Sequence, residues 1–174
     1  MNIAPSLISS LIFGARTVNF VNSVGIDVIG KAVNVTTGSI GNLVSQFMHS
    51  KEEDAIDIQS TLESIDIEFK VSVLEELIKE QRGNAPVSVK KALLGVNDIL
   101  VKIDGELKTI KEALDYHQTK YFKNWRTFDC SCNIKTIKNH CKILDERSKV
   151  FTDLLKIYNK SINSIKDETV EDLS

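Results

Sequence analysis

A chain of 174 residues with a formal charge of −2 and a pI near 5.9 is long enough to bury a core without disulfide support, and its bulk charge gives no reason to expect a nucleic-acid partner. Its three cysteines, Cys130, Cys132 and Cys141, are odd in number and clustered. That argues against a secreted disulfide scaffold and for a reducing compartment, cytoplasmic or at a membrane face.

Charge is spread unevenly. Residues 1–48 carry only Arg16, Asp27 and Lys31, and the other charged side chains follow from Lys51 onward. Met1 to Pro5 supplies no basic stretch of the kind that opens a signal peptide, and neither a myristoylation start nor a prenylation box is expected.

From Ser6 to Asn22 the apolar positions Leu7, Ile8, Leu11, Ile12, Ala15 and Val18 recur at helical spacing, with Pro5 suited to a helix start and Phe13 and Phe20 adding aromatic surface. A polar stripe of Asn19, Ser23, Asp27, Lys31 and Asn34 then predicts an amphipathic helix. Gly14, Gly25, Gly30, Gly38 and Gly41 make this region a poor autonomous helix, each costing roughly 1 kcal/mol relative to alanine. The β-branched run Val33-Asn34-Val35-Thr36-Thr37 before Gly38 predicts a turn, after which Ile40 to Met48 resumes a helical pattern. Such a segment needs a surface. Arg16 opposes a clean membrane span, since a central arginine costs about 2.5 kcal/mol or more on insertion scales. The reading preferred here is a segment lying in a bilayer interface or buried by neighbouring chains; the alternative is that these helices pack on the rest of the chain as core.

Ser50-Lys51-Glu52-Glu53 has capping-box form and predicts a helix from about Lys51 to Arg82 with a broad apolar face, closed by a turn at Gly83-Asn84-Ala85-Pro86. The next helix is expected from Val87 to about Lys123. Its seam, Val89, Leu93, Val96, Leu100, Ile103, Leu107, Ile110, Leu114, His117 and Tyr121, steps by four and three. Asp98 with Lys102, Asp104 with Lys108, and Lys108 with Glu112 stand at i,i+4 spacing and predict a solvated face. After a loop, Asp129 or Ser131 can cap a last long helix whose seam runs Ile134, Ile137, Cys141, Leu144, Ser148, Phe151, Leu155, Tyr158, Ile162 and Ile165. The two seams are expected to cover each other. The fold class is therefore all-α: a helical bundle (50–166) built on two long antiparallel heptad helices, a hydrophobic N-terminal helical arm (1–49) and an acidic tail (167–174).

Tyr116, Tyr121, Phe122, Trp125 and Phe128, interleaved with Lys120, Lys123 and Arg126, gather at one end of the hairpin. They suit a bilayer interface or a protein contact, or else form a plug closing the bundle. The candidate contact residues are Leu7, Leu11, Ile12, Phe13, Phe20, Tyr121, Phe122, Trp125, Arg126 and Phe128. Cys130, Cys132, His140 and Cys141 are metal-ligand types, but adjacent helical side chains diverge by about 100°, so zinc is not predicted; Cys141 reads as core and the other two as loop thiols. No nucleophile elbow, phosphate loop, dinucleotide glycine pattern or HExxH is present, so no catalytic, cofactor-binding or metal residue is assigned, no small-molecule substrate is evident and an enzyme is not expected.

The order of a weakly charged, glycine-containing helical segment (residues 6–48) before long helices (after Ser50) resembles the HeLo and MLKL-type membrane-permeabilising bundles. The resemblance implies a regulated, membrane-active N-terminal region and carries over no individual residue. The expected function is a non-enzymatic, membrane-associated or self-assembling helical protein, which the resemblance makes membrane-permeabilising through its N-terminal segment. The alternative is a structural subunit of a large assembly, such as a viral particle, whose arm is buried by neighbours. A protein partner or a further copy is expected in either case.

Overall fold

The computed structural model describes residues 24–51, 55–79, 81, 85–119 and 128–171. Five helices account for almost all of them, and no strand occurs among them: α1 Ile26–Met48, α2 Ile56–Ile65, α3 Ile67–Lys79, α4 Val87–Gln118 and α5 Ser131–Glu171. The chain is all-α, as its periodicity predicts.

The two heptad seams meet. Along α4, Val89, Leu93, Val96, Leu100, Ile103, Leu107, Ile110 and Leu114 are buried, and Ile137, Cys141, Leu144, Phe151 and Leu155 of α5 join them in one continuous core. Burying a side chain of this size stabilises by about 1.5–3 kcal/mol relative to exposure. The helices run antiparallel: Asn133 donates to Glu106 at 2.8 Å near one end, and Arg147 donates to the Gly95 carbonyl at 2.5 Å and to Asp98 at 3.1 Å toward the other. Asp129 accepts from the Ser131 amide at 2.9 Å and its hydroxyl at 2.7 Å, so its carboxylate satisfies the first amide of α5.

Helix α1 crosses the predicted turn without a break. Its glycines and β-branched residues are weak helix formers, but Ile26, Ile29, Val33, Ile40, Leu43, Val44 and Phe47 are all buried, and packing of such a face outweighs local propensity. Thr36 and Thr37 donate their hydroxyls back to the Ala32 and Asn34 carbonyls, both at 3.1 Å, so neither side chain competes for the helical ladder. Thr37 also donates to Glu75 of α3. At Gly30 the backbones come close: a Cβ there would sit 2.8 Å from Ile78 Cγ2. At the other end Gln59 donates to the Phe47 and Ser50 carbonyls at 2.8 and 2.9 Å, tying the end of α1 to α2.

Two boundaries differ from the expectation. Lys51 is not helical and α2 begins at Ile56, so the described chain places no helix start at the capping box. The single helix expected from Lys51 to Arg82 is divided at Asp66, which takes the left-handed conformation (φ 50°, ψ 45°) tolerated by aspartate. Its carbonyl then accepts from Lys70 at 3.2 Å as α3 starts.

Helices α1 and α4 run parallel, since Ser39 reaches Asp104 while Phe47 and Gln46 lie beside Lys111, Leu114 and Gln118. Helix α4 packs on both α1 and α5, α1 packs on α3, and α2 touches α1 and α5. Lys70 of α3 bridges to Asp145 of α5 at 2.7 Å. The chain thus runs down, up, down and up, with α2 and α3 together forming one rod.

One expectation about α4 is corrected. Asp104 is buried, not solvated: it accepts from Ser39 and from Lys108, both at 2.6 Å. With Lys90 and Asn97, also buried, it forms a polar stripe at seven-residue intervals. Asp98 with Lys102 does form the expected pair at 3.1 Å, at the edge of the α4–α5 contact.

Candidate association surface

Helix α5 carries two apolar stripes. The inner one is the seam. The other lies one residue earlier in each heptad, at Ile143, Val150 and Ile157, with Leu154 between the last two. One residue on a helix is about 100° of rotation, so this second stripe turns away from the α4 seam toward the flank. Val150 is 55% and Ile157 67% exposed, while Ile143 and Leu154 are half-buried.

Beside the second stripe, α4 contributes small residues. Ala92, Gly95, Glu146, Arg147 and Val150 line a groove of about 300 Å³ between the two helices. Arg147 lies along its floor with its guanidinium turned to the Gly95 carbonyl and Asp98, which leaves its aliphatic stem as apolar lining. Charges of both signs flank the stripe: Lys142, Asp145 and Glu146 near its start, and Asp153, Lys156 and Lys160 near its end, with Asp145 bridged to Lys70 at 2.7 Å and Lys156 to Asp153 at 3.7 Å. The sequence reading attended to the stronger seam and missed this stripe, although the seven-residue spacing of Ile143, Val150 and Ile157 is a readable signal.

The inner seam continues past the start of α4. The contacts of Arg147 with Gly95 and Asp98 set a register in which the first turn of α4 lies level with about Leu155. Among the described residues, Leu155 is the last fully buried one of α5, and Tyr158 beyond it still packs against the core. From Lys156 to Glu171 the helix continues for roughly 24 Å, at about 1.5 Å per residue.

Of the predicted contact residues, Phe128 alone lies among the described residues. It is half-buried against the core, with its ring 5.6 Å from that of His117, where the α4–α5 hairpin closes. Leu7, Leu11, Ile12, Phe13, Phe20, Tyr121, Phe122, Trp125 and Arg126 lie outside the described residues.

Among the cysteines, Cys141 is core as expected; Cys130 lies in the loop before α5 but is buried in the core, and Cys132, expected in the loop, is exposed in the first turn of α5. Burial pushes the Cys141 thiol up to about 11, with Asp145 adding to the shift and Lys70 opposing it. Burial first, then Asp129 and Asp57, raises Cys130. Such thiols are poor nucleophiles. Among the described residues no group of histidine, cysteine and acidic side chains could hold a metal, and no helix is long and apolar enough to cross a membrane.

No family model matches the chain, and no solved structure matches it. It is 27% identical over 145 residues to an uncharacterized protein of Acanthamoeba polyphaga mimivirus, a similarity that takes in 80% of this chain and 63% of the viral protein. The chain therefore spans less than two thirds of that relative's length.

Proposed function

We propose that the chain is a non-enzymatic helical association module that joins further copies of itself through the outer stripe of α5. The observation that carries this is the exposure of Val150 and Ile157 at heptad spacing beside a groove lined by Ala92, Gly95 and Arg147. A solvated helix has no need of an apolar repeat on its flank. Two copies related by a two-fold axis with α5 antiparallel set the Ile143 end of each stripe against the Ile157 end of the other. The apolar contact is small, so a reversible dimer is expected, or a building contact within a larger assembly. The viral origin of the similar protein is compatible with the latter.

A membrane role has less support. Helix α1 spends its apolar face on α3 and α4, so that face does not support membrane contact.

Light scattering on the full chain across a concentration series tests the proposal. Dimer or larger species should form and should be lost in Val150→Glu and Ile157→Glu, with helicity unchanged. A wild-type chain that stays monomeric throughout, or variants that associate equally well, would overturn it.

A further inference from the structure

On the polar stripe of α4, Asp104 has its partners and Lys90 does not. Lys90 keeps 4% of its surface exposed, yet among the described residues nothing forms a hydrogen bond or ion pair with its ammonium. A charge taken out of water is ordinarily compensated by a counter-charge, and here the chain provides none. We infer that a phosphate group binds where α1 begins beside α4, held by the Lys90 ammonium and the first amides of α1.

Register and helix geometry bring those groups together. With Ser39 opposite Asp104 and the two helices parallel, Gly25, the residue that caps the start of α1, lies level with Lys90. Gly25, Ala32 and Ser39 stand at seven-residue intervals, so Gly25 is on the edge of α1 that meets α4. Long side chains on a helix lean toward its N-terminus, which carries the Lys90 ammonium to the height of the chain entering α1. Pro86, Val87 and Ser88, at the start of α4, are exposed, so this corner of the bundle opens to solvent.

The corner is suited to an anion. No side chain caps α1 at Gly25 or α4 at Pro86, and among the described residues nothing accepts from the Ile26 and Asp27 amides. Two parallel helices therefore turn the positive ends of their dipoles toward a positive ammonium. The acid in the first turn of α1, Asp27, is exposed and lies about 200° around the helix from Gly25, so it faces away from Lys90. Lys91 is exposed in the same turn of α4 as Lys90 and adds a second cation. There is also room, since a Cβ on Gly25 would meet nothing within 4 Å. Phosphate carries several acceptor oxygens, so one group can take hydrogen bonds from the ammonium and from the amides together. The site shares no residue with the outer stripe of α5.

Titrating inorganic phosphate into the isotope-labelled full chain at constant ionic strength tests the site through the amide resonances of Ile26 and Asp27. They should shift along a saturable curve, and binding should weaken by about tenfold or more in Lys90→Met, which keeps an apolar stem and loses the charge. Gly25→Asp supplies a carboxylate of the chain's own at a position whose extended backbone (φ −68°, ψ 150°) accepts any residue, so it should abolish the response with the fold intact. It also guards against misfolding of the first variant. Tighter binding of glycerol phosphate than of inorganic phosphate assigns the group to a phosphate ester and the reverse assigns it to the free ion; either supports the site. An absent shift would overturn the inference. So would a shift equally large with acetate, or one unchanged in Lys90→Met and Gly25→Asp, which means an adventitious ion only. Val150→Glu should leave the phosphate response unchanged, so failure here and failure of the dimer proposal are read separately.

Discussion

Replacing three glycines of α1 by alanine, one at a time, tests whether that helix is seated as described. At Gly38 and Gly41 an added Cβ meets nothing within 4 Å. Each substitution should therefore stabilise by roughly 0.5–1 kcal/mol, the difference in helix propensity. Gly30→Ala gains the same propensity, but its Cβ would stand 2.8 Å from Cγ2 of Ile78, a branched side chain that is itself buried and has one strongly preferred rotamer in a helix. Overpacking of this kind costs about 1–3 kcal/mol. The net change at Gly30 should fall between about zero and 2 kcal/mol destabilising, and Gly30→Ala should be separated from Gly38→Ala by roughly 1–3 kcal/mol. Ile78→Leu removes the offending methyl group, so Gly30→Ala should cost less in that background. Urea unfolding with a constant m-value provides the measurement. If Gly30→Ala stabilises as much as Gly38→Ala, α1 does not lie on α3, and the placement of the arm's second half is wrong.

Other perturbations read other parts of the structure. Asp104→Ala leaves the Ser39 hydroxyl and the Lys108 ammonium without their acceptor, and thermal melts should show a loss of about 1.5–3 kcal/mol, with Ser39→Ala costing less. Because burial raises the Cys141 thiol from 9.0 to about 11, the unfolded chain loses its proton first as pH rises, so wild-type stability should fall relative to Cys141→Ala between about pH 9 and 11. In titration with a thiol reagent near neutral pH, Cys132 should react at once and the other two only on unfolding. The hydrogen bonds from Ser131 hold the Asp129 carboxyl below its usual range, so Asp129→Ala should lower the melting temperature at neutral pH. That difference should persist through mild acid and vanish only as pH falls through the lowered value.

The long-range architecture was legible because two seams of alternating four and three steps determine which faces must meet, whatever the loops do. The behaviour of α1 was not. Three glycines and a β-branched run speak for a break, and only the close approach of α3 at Gly30 and the threonine hydroxyls turned back onto the helix show why it continues. The division at Asp66 carries no glycine or proline to announce it. Asp104 misled because i,i+4 pairing with Lys108 describes an exposed helix face as well as a half-covered one; burial is decided by Ser39, on another helix. As for the site, the arm and the aromatic loop were conspicuous by composition, while the outer α5 stripe lay in the shadow of a stronger pattern one residue away.

Lys90, Asn97 and Asp104 recur every seven residues along α4, and this has a mechanical effect. Moving α1 along its groove by two turns would put Ala32 or Gln46 where Ser39 now meets Asp104, leaving a carboxylate short of a donor or crowding it. A greasy contact could creep; this one is keyed. Slippage of α1 past α4 therefore carries a toll at Asp104 that an all-apolar groove would not levy.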